Sequence, residues 1–248
     1  MGSLSLFYGN TRRDCPCFRS KKDVGMLKRA MDIALSGLAL LVFLPFGLTI
    51  ALILRCTGEG EVFYRQTRVG RGLQPFSLLK YATMLKDSPK LGTGTITLRH
   101  DPRVLPVGRV LRMTKLNEMP QLLNILKGDM SVIGPRPLVP GQYDFLPREQ
   151  QEKIYSVRPG LSGIGSLVFR DEEKLLSESP KGHDRCYKED IMPLKAKLEL
   201  WYADHASLWL DCQIILATIW AVLRPNTQIH RRLLGKEWEE ELRIVNDE

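Results

Sequence analysis

The chain has 248 residues, 44% hydrophobic and 26% charged, enough for a self-supporting core and unlike a disordered tail or a polytopic transporter. Thirty-six Lys and Arg against 28 Asp and Glu give +8, so an anionic partner is expected: nucleic acid, a phosphorylated ligand or an acidic membrane surface. The excess sits in the first half, where residues 1–125 hold 19 basic and 8 acidic residues, with 12 of the basic ones between Arg55 and Lys115.

The N-terminal 20 residues contain Cys15 and Cys17, a lone C-x-C with no second pair or His cluster to complete a zinc site. Five cysteines in a chain of this length suit a reducing, cytosolic setting. Ile33–Leu54 follows, 22 residues without a charge, long enough to cross a hydrocarbon core of about 30 Å. It starts too late and runs too long for a cleavable signal peptide. Pro45 at its centre removes a backbone donor and predicts a kink or break. Lys21, Lys22, Lys28 and Arg29 precede the segment, and Arg55, Arg65, Arg68 and Arg71 follow it. Basic flanks favour the cytoplasmic side, so a hairpin entering and leaving by one face satisfies both ends. A single kinked spanning helix is the other solution.

Val62–Gln66 and Phe76–Tyr81 have the pattern of two strands, with a turn at Val69–Gly72. Leu91–Thr97 is a Gly/Thr-rich loop, and Val104–Met113 is short, basic and partly helical. Leu116, Met119, Leu122, Leu123 and Leu126 recur at helical spacing. Asn117 is placed as the N-cap of that helix, with Pro120 in its first turn and Glu118 at the positive end of its dipole. Lys127–Pro140 is a Gly/Pro loop, and Tyr187–Tyr202 is helical. Leu208–Leu223 is a 16-residue apolar helix with one charge, Asp211. It is either a core helix or one lying at an interface, with Trp201, Trp209 and Trp220 suited to a headgroup layer. Trp238–Ile244 is a short charged helix or tail. The fold class is therefore α+β, mostly helical with a small β-hairpin or sheet.

Two prolines bracket Arg136 and fix its backbone, and Arg158-Pro159-Gly160 repeats the device. A guanidinium held in place grips phosphate oxygens with its fork, although rigid loops with surface arginines give the same pattern. The sequence lacks a P-loop, a dinucleotide fingerprint, a zincin motif and a hydrolase elbow, and its four His are scattered. The reactive groups left are carboxylates and cations, which suit phosphoryl chemistry assisted by a divalent ion. Nucleic acid finds no recognisable binding motif here.

These residues resemble the bacterial sugar transferases, the small monotopic polyprenyl-phosphate phosphoglycosyl transferases. The resemblance runs from about Lys28 to Leu223. It rests on Lys28-Arg29-x-x-Asp32, on Pro45, and on Val62-Phe63-Tyr64-Arg65-Gln66-x-Arg68-x-Gly70. It is sharpest from Leu111-Arg112 through Leu116-Asn117-Glu118-x-Pro120-Gln121 and Gly128-Asp129-Met130-Ser131 to Gly134-Pro135-Arg136-Pro137. Arg158-Pro159-Gly160-Leu161-Ser162-Gly163 and Tyr202, Ser207 and Asp211 complete it.

The resemblance implies a re-entrant membrane helix broken at Pro45, with amphipathic helices lying on the membrane at the cytoplasmic face of the bacterial inner membrane. It divides the chain into an N-terminal extension (1–27), the re-entrant helix (28–56), a catalytic domain at the interface (57–226) and a tail (227–248). It implies transfer of a sugar-1-phosphate from a UDP-sugar to undecaprenyl phosphate, with Mg2+ and release of UMP, at the start of capsule, exopolysaccharide or O-antigen synthesis. Membrane lipids are implied partners, nucleic acid is not, and a homodimer is left open.

It also places Glu118 as a catalytic or metal carboxylate and Asp211 as a metal carboxylate or one supporting the site from behind. Lys80, Arg112, Arg136 and Arg158 become phosphate grips, and Arg170 stands in for the family's usual Arg after Gly163. Asn117 occupies the position of the family's attacking Asp, and a neutral amide is a poor nucleophile and a weaker magnesium ligand. Another carboxylate (Glu118, Asp129 or Asp211) could take over the attack, or the lipid phosphate could attack directly. The alternative is an inactive member that binds nucleotide-sugar or lipid carrier. Two milder departures are Lys80-Tyr81-Ala82-Thr83-Met84, which loses a second cation, and the stretch from Ile164 to Glu173.

Overall fold

The structure, a computed structural model, describes residues 21–90, 101–224 and 228–242. Cys15, Cys17, the Leu91–Thr97 loop and His100 lie outside the described residues, as does the end of the tail.

Helix α1 spans Lys21–Cys56 with Pro45 inside it, so of the kink or break expected there the helix shows no break. Pro45 offers no N–H to the preceding turn, while Thr49 Oγ1 donates to its carbonyl at 3.0 Å. The segment Gly25–Cys56 is long and apolar enough to cross a membrane. Asp32, Ser36, Leu40, Gly47, Ile50 and Leu54 share a face that meets the folded domain at both ends. Between them residues 41–46 are exposed all round, although five of the six are large and apolar.

Strands β1 (Phe63–Val69) and β2 (Pro75–Tyr81) form the expected antiparallel hairpin, with Phe63 opposite Tyr81 and Val69 opposite Pro75. The first strand runs three residues past Gln66. Helix α2 spans Pro106–Met113 with proline at its start.

Next, the expected helix over Leu116–Leu126 divides. Lys115 takes a left-handed conformation (φ 58°) and starts a 3-10 turn at Leu116–Glu118, and α3 begins only at Gln121 and ends at Lys127. Pro120, not Asn117, stands at its N-cap, where the N–H that proline lacks would have no partner within the helix. The Lys127–Pro140 loop hides a strand, β3 (Ser131–Ile133), paired in parallel with β4 (Gly160–Ser162). The two backbones pass so closely that a Cβ on Gly134 would lie 2.3 Å from the Arg158 carbonyl oxygen, and one on Gly160 2.2 Å from the Gly134 nitrogen. Only glycine fits either place.

Four short helices follow: α4 (Arg148–Ile154), α5 (Ile164–Val168), α6 (Glu172–Glu178) and α7 (His183–Arg185). The last continues through a π-helical turn into α8 (Met192–His205). Helix α9 spans Leu208–Leu223, capped by Ser207 Oγ, and α10 (His230–Leu234) closes the described fold. Ile133, Ile164, Val168, Phe169, Leu198, Tyr202 and Ile214 bring β3, α5, α8 and α9 into one core. Helix α9 buries Leu210 and Ile214 in it, while its Ala217 and Ala221 pack with Leu167 in a smaller cluster. Its other face leaves Trp209, Leu216, Ile219, Trp220, Val222 and Leu223 exposed. Trp201 is not part of that exposed set, since it packs edge-on against Trp238 and stacks on His205.

A polar clasp fastens α1 to this core. Asp32 Oδ1 accepts the Val132 N–H at 2.9 Å and the Ser131 hydroxyl at 3.0 Å. Lys28 Nζ donates to Asp211 Oδ2 (2.5 Å), the Ile133 carbonyl (2.9 Å) and the Tyr202 hydroxyl (3.2 Å). Arg29 donates to the carbonyls of Ile125 and Leu126 at the negative end of α3.

Candidate active site

Where the turn at Leu116–Glu118 meets β2 and the Gly134–Pro137 loop, a cleft opens, lined by Arg68, Leu78, Lys80, Glu118, Gln121, Arg136, Pro137, Gly160 and Leu161. Glu118 is the only carboxylate in that lining. Its Oε1 is 3.5 Å from Lys80 Nζ and 3.9 Å from an Arg136 nitrogen. These contacts are long for ion pairs, so both cations retain donors for an incoming anion. Asn124 sets the distance between the two walls. Its side chain accepts the Leu79 N–H (3.0 Å) and donates to the Ser77 carbonyl (2.8 Å), stapling α3 to β2. Arg68 donates to Gln66 Oε1 and to the Pro137 carbonyl at 3.1 Å, which ties the Pro-Arg-Pro loop to β1.

The charges in the cleft govern one another. Burial alone would push Glu118 up, yet Lys80, Arg136 and Lys115 outweigh it and hold the carboxyl at about 2. Burial and the nearby Arg136, Arg68 and Arg112 bring Lys80 down to about 8, against the pull of Glu118. Burial and Arg136 likewise lower Arg68 to about 10. At neutral pH the cleft therefore holds one anion among cations, a lining suited to phosphate oxygens.

The structure thus brings together Lys80, Glu118 and Arg136 of the residues singled out in the sequence. Asn117 is 7% exposed, and its Oδ1 is buried with no hydrogen-bond partner. Arg112 stands at the rim, where it pairs with Glu173 at 2.6 Å and adds to the positive field at Lys80.

Three expectations need correction. Asp211 is not a metal carboxylate of this cleft, because Lys28 and Tyr202 (2.6 Å) engage its two oxygens at the foot of α1. Arg158 donates to the Gly128 carbonyl at 2.9 Å, where it caps α3 and does not reach the cleft lining. Arg170 donates to the Ala221 carbonyl and caps α9, so it does not replace a phosphate-binding Arg. Arg158 and Arg170 follow one rule: carbonyls at helix C-termini attract a long cationic side chain. Asp129 is also engaged, by Asn124 and Lys127, and does not line the cleft.

Sequence reasoning missed Arg68 and Gln121 as cleft residues, and it missed Glu199 behind the cleft. Glu199 Oε1 accepts the Arg136 backbone N–H at 3.2 Å. A signal was present, since Lys195, Glu199 and Tyr202 fall at i, i+4 and i+7 on the face of α8 that buries Leu194 and Leu198. Polar residues at core positions mark either a satisfied network or a site.

Among the described residues no three of His, Cys, Asp and Glu cluster to hold a metal ion. The cleft suits a different arrangement, since magnesium is commonly held by one or two protein oxygens together with substrate phosphates. Glu118 offers the one carboxylate of the lining.

Comparison with known proteins agrees with this geometry. The family model described as "Bacterial sugar transferase" matches residues 24–225. A UDP-N-acetylgalactosamine-undecaprenyl-phosphate N-acetylgalactosaminephosphotransferase of Aeromonas hydrophila is 34% identical over 79% of this chain, which spans 44% of that relative. A UDP-glucose:undecaprenyl-phosphate glucose-1-phosphate transferase of Caulobacter vibrioides is 33% identical over 81% of this chain and 71% of its own length. The exopolysaccharide production protein ExoY of Rhizobium meliloti is 32% identical over 80% of this chain and 86% of its own length.

Proposed function

The chain belongs to the bacterial sugar transferase family, and from that premise we propose that it moves a sugar-1-phosphate from a UDP-sugar to undecaprenyl phosphate. The observation that carries the proposal is the cleft itself, an ionised carboxylate among Lys80, Arg136 and Arg68, beside a long apolar helix. One substrate is a water-soluble diphosphate and the other carries its phosphate at the headgroup layer, so a cationic cleft next to a membrane anchor meets both. No relative's name favours the inactive alternative.

In the transfer, an oxygen of the lipid phosphate bonds to the sugar-linked phosphorus, and the bond from that phosphorus to the UMP oxygen breaks. Lys80 and Arg136 turn from Glu118 to the diphosphate and take up the charge that builds on UMP as it leaves. Arg68 holds the Pro137 end of the loop while this happens. Asn117 provides no nucleophile, so Glu118 carries the carboxylate chemistry of the cleft. Magnesium, if bound, would be held by the Glu118 carboxylate together with the substrate phosphates and would neutralise phosphate charge.

The same reading extends to the membrane. Both ends of α1 meet one domain while residues 41–46 stand free, which supports a re-entrant insertion with the domain on the cytoplasmic face. The bare apolar face of α9 would lie on the same surface.

The test is UMP release by the purified chain from a panel of UDP-sugars, with and without undecaprenyl phosphate. UMP that appears only with the lipid, for one or a few sugars, is the expected result. Release that ignores the lipid, or none with any sugar, would overturn the proposal.

A further inference from the structure

Glu199 is 1% exposed on α8, behind the Gly134–Pro140 loop. Its Oε1 holds the Arg136 N–H, while its Oε2 is buried without a hydrogen-bond partner. On the other side lies Gly165, in α5, where a Cβ would come within 2.5 Å of Oε1. A buried carboxylate with an unused oxygen is costly, and an apolar residue there would ordinarily be more stable. This one touches the single loop residue whose guanidinium faces Glu118.

We infer that Glu199 is a positioning residue: its carboxylate pins the Arg136 backbone so that the guanidinium stays at the cleft, and it pins more firmly when ionised. The activity readout below rests on the transferase reading above.

The loop chemistry explains why one hydrogen bond has this leverage. Pro135 and Pro137 donate no N–H, so the Arg136 N–H is the only backbone donor of that tripeptide. A hydrogen bond to an ionised acceptor is roughly twice as strong as one to a neutral acceptor. The titratable groups facing Glu199 are Arg136 from the loop, Tyr143, Tyr155 at the end of α4, and Lys195 and Tyr202 on its own helix. Lys195 is already paired with Glu172 at 2.7 Å. Burial therefore outweighs the Arg136 N–H, Lys195 and the Arg136 charge, and it raises Glu199 to about 7. Its charge changes near neutral pH, where the pinning changes with it.

The experiment uses the full chain in lipid nanodiscs between pH 6 and pH 8. Wild-type kcat/KM for the UDP-sugar should rise with pH through about 7. Glu199→Gln keeps an acceptor oxygen but no charge, so it should match wild type at pH 6 and fall about tenfold behind by pH 8. Gly165→Ala retains the carboxylate but displaces it, and it should flatten the profile in the same way. A loss equal at every pH, or no loss, would overturn the inference. A second readout needs no turnover: the Arg136 amide resonance, followed by NMR, should titrate near neutral pH in wild type and stay flat in Glu199→Gln. A flat wild-type resonance would overturn the inference even if the enzyme is active. If wild type releases no UMP with any sugar, the transferase reading fails and the amide titration still decides this one.

Discussion

The clasp between α1 and the core gives a prediction whose size can be worked out. Lys28→Met removes three hydrogen bonds at once, to Asp211, Tyr202 and the Ile133 carbonyl. Asp211, 1% exposed, keeps only the Tyr202 hydroxyl. Breaking a buried ion pair from one side costs about 3–5 kcal/mol, since the remaining charge stays buried. Lys28 is 23% exposed, so water can approach the gap and the low end applies, about 3 kcal/mol. For a domain of this size that is a drop in Tm of about 6–12 °C. Thermal unfolding by tryptophan fluorescence, at fixed detergent composition, measures it. The companion double variant Lys28→Met with Asp211→Leu replaces the pair by apolar groups and should recover most of the loss, because no charge is then stranded. A single-variant drop below about 3 °C would refute the argument. So would a double variant no better than the sum of its parts, since the charges would then not depend on each other.

Other consequences are open to measurement. Glu118→Gln should cut UMP release by about 100-fold with the fold intact, and full turnover would remove Glu118 from the chemistry. Arg136→Lys, which loses the fork, should lower kcat/KM at least about tenfold, whereas Arg170→Ala should cost about 1 kcal/mol of stability and leave KM unchanged. Steady-state kinetics beside melting curves separates the two. Glu199 has a folded-state value raised from 4.5 to about 7, so its protonated form is favoured in the folded chain. The stability it lends is fully present below 4.5 and lost as pH rises through about 7. Relative to wild type, Glu199→Gln should therefore gain about 3 kcal/mol between pH 4.5 and pH 8, read from denaturant unfolding of both proteins.

The parts of this molecule legible in the sequence are those fixed by local chemistry. The hairpin of β1 and β2 follows from two apolar runs about a turn, and α9 from an apolar stretch bounded by Ser207 and Arg224. Lys80, Glu118 and Arg136 could be named because motif and charge pointed the same way. The errors share another origin. Asn117 looks like an N-cap to any rule that reads four residues at a time, yet the left-handed Lys115 and the donorless Pro120 move the helix start three residues on. The strands β3 and β4 are three residues each and pair across 26 intervening residues, so no period could announce them. Asp211, Arg158 and Arg170 are charged residues within or beside motifs, and only the tertiary fold shows that Lys28, Gly128 and Ala221 claim them first.

The amide at Asn117 bears on the charge of the proposed transferase cleft. Lys80, Arg68 and Arg136 are cationic near neutral pH and Glu118 is anionic, so the lining carries about two net positive charges. A nucleotide-sugar brings two negative charges on its diphosphate. An Asp at 117 would add a second carboxylate next to Glu118, and a neighbouring like charge raises the pKa of one of the two. With the neutral amide, the full positive excess stays available to substrate, and Glu118 stays ionised without a competitor for Lys80 and Arg136. The residue that departs from the family's pattern removes the nucleophile but strengthens the field that binds and polarises the phosphates. On the transferase reading proposed above, such a field would act on the phosphates by electrostatic stabilisation.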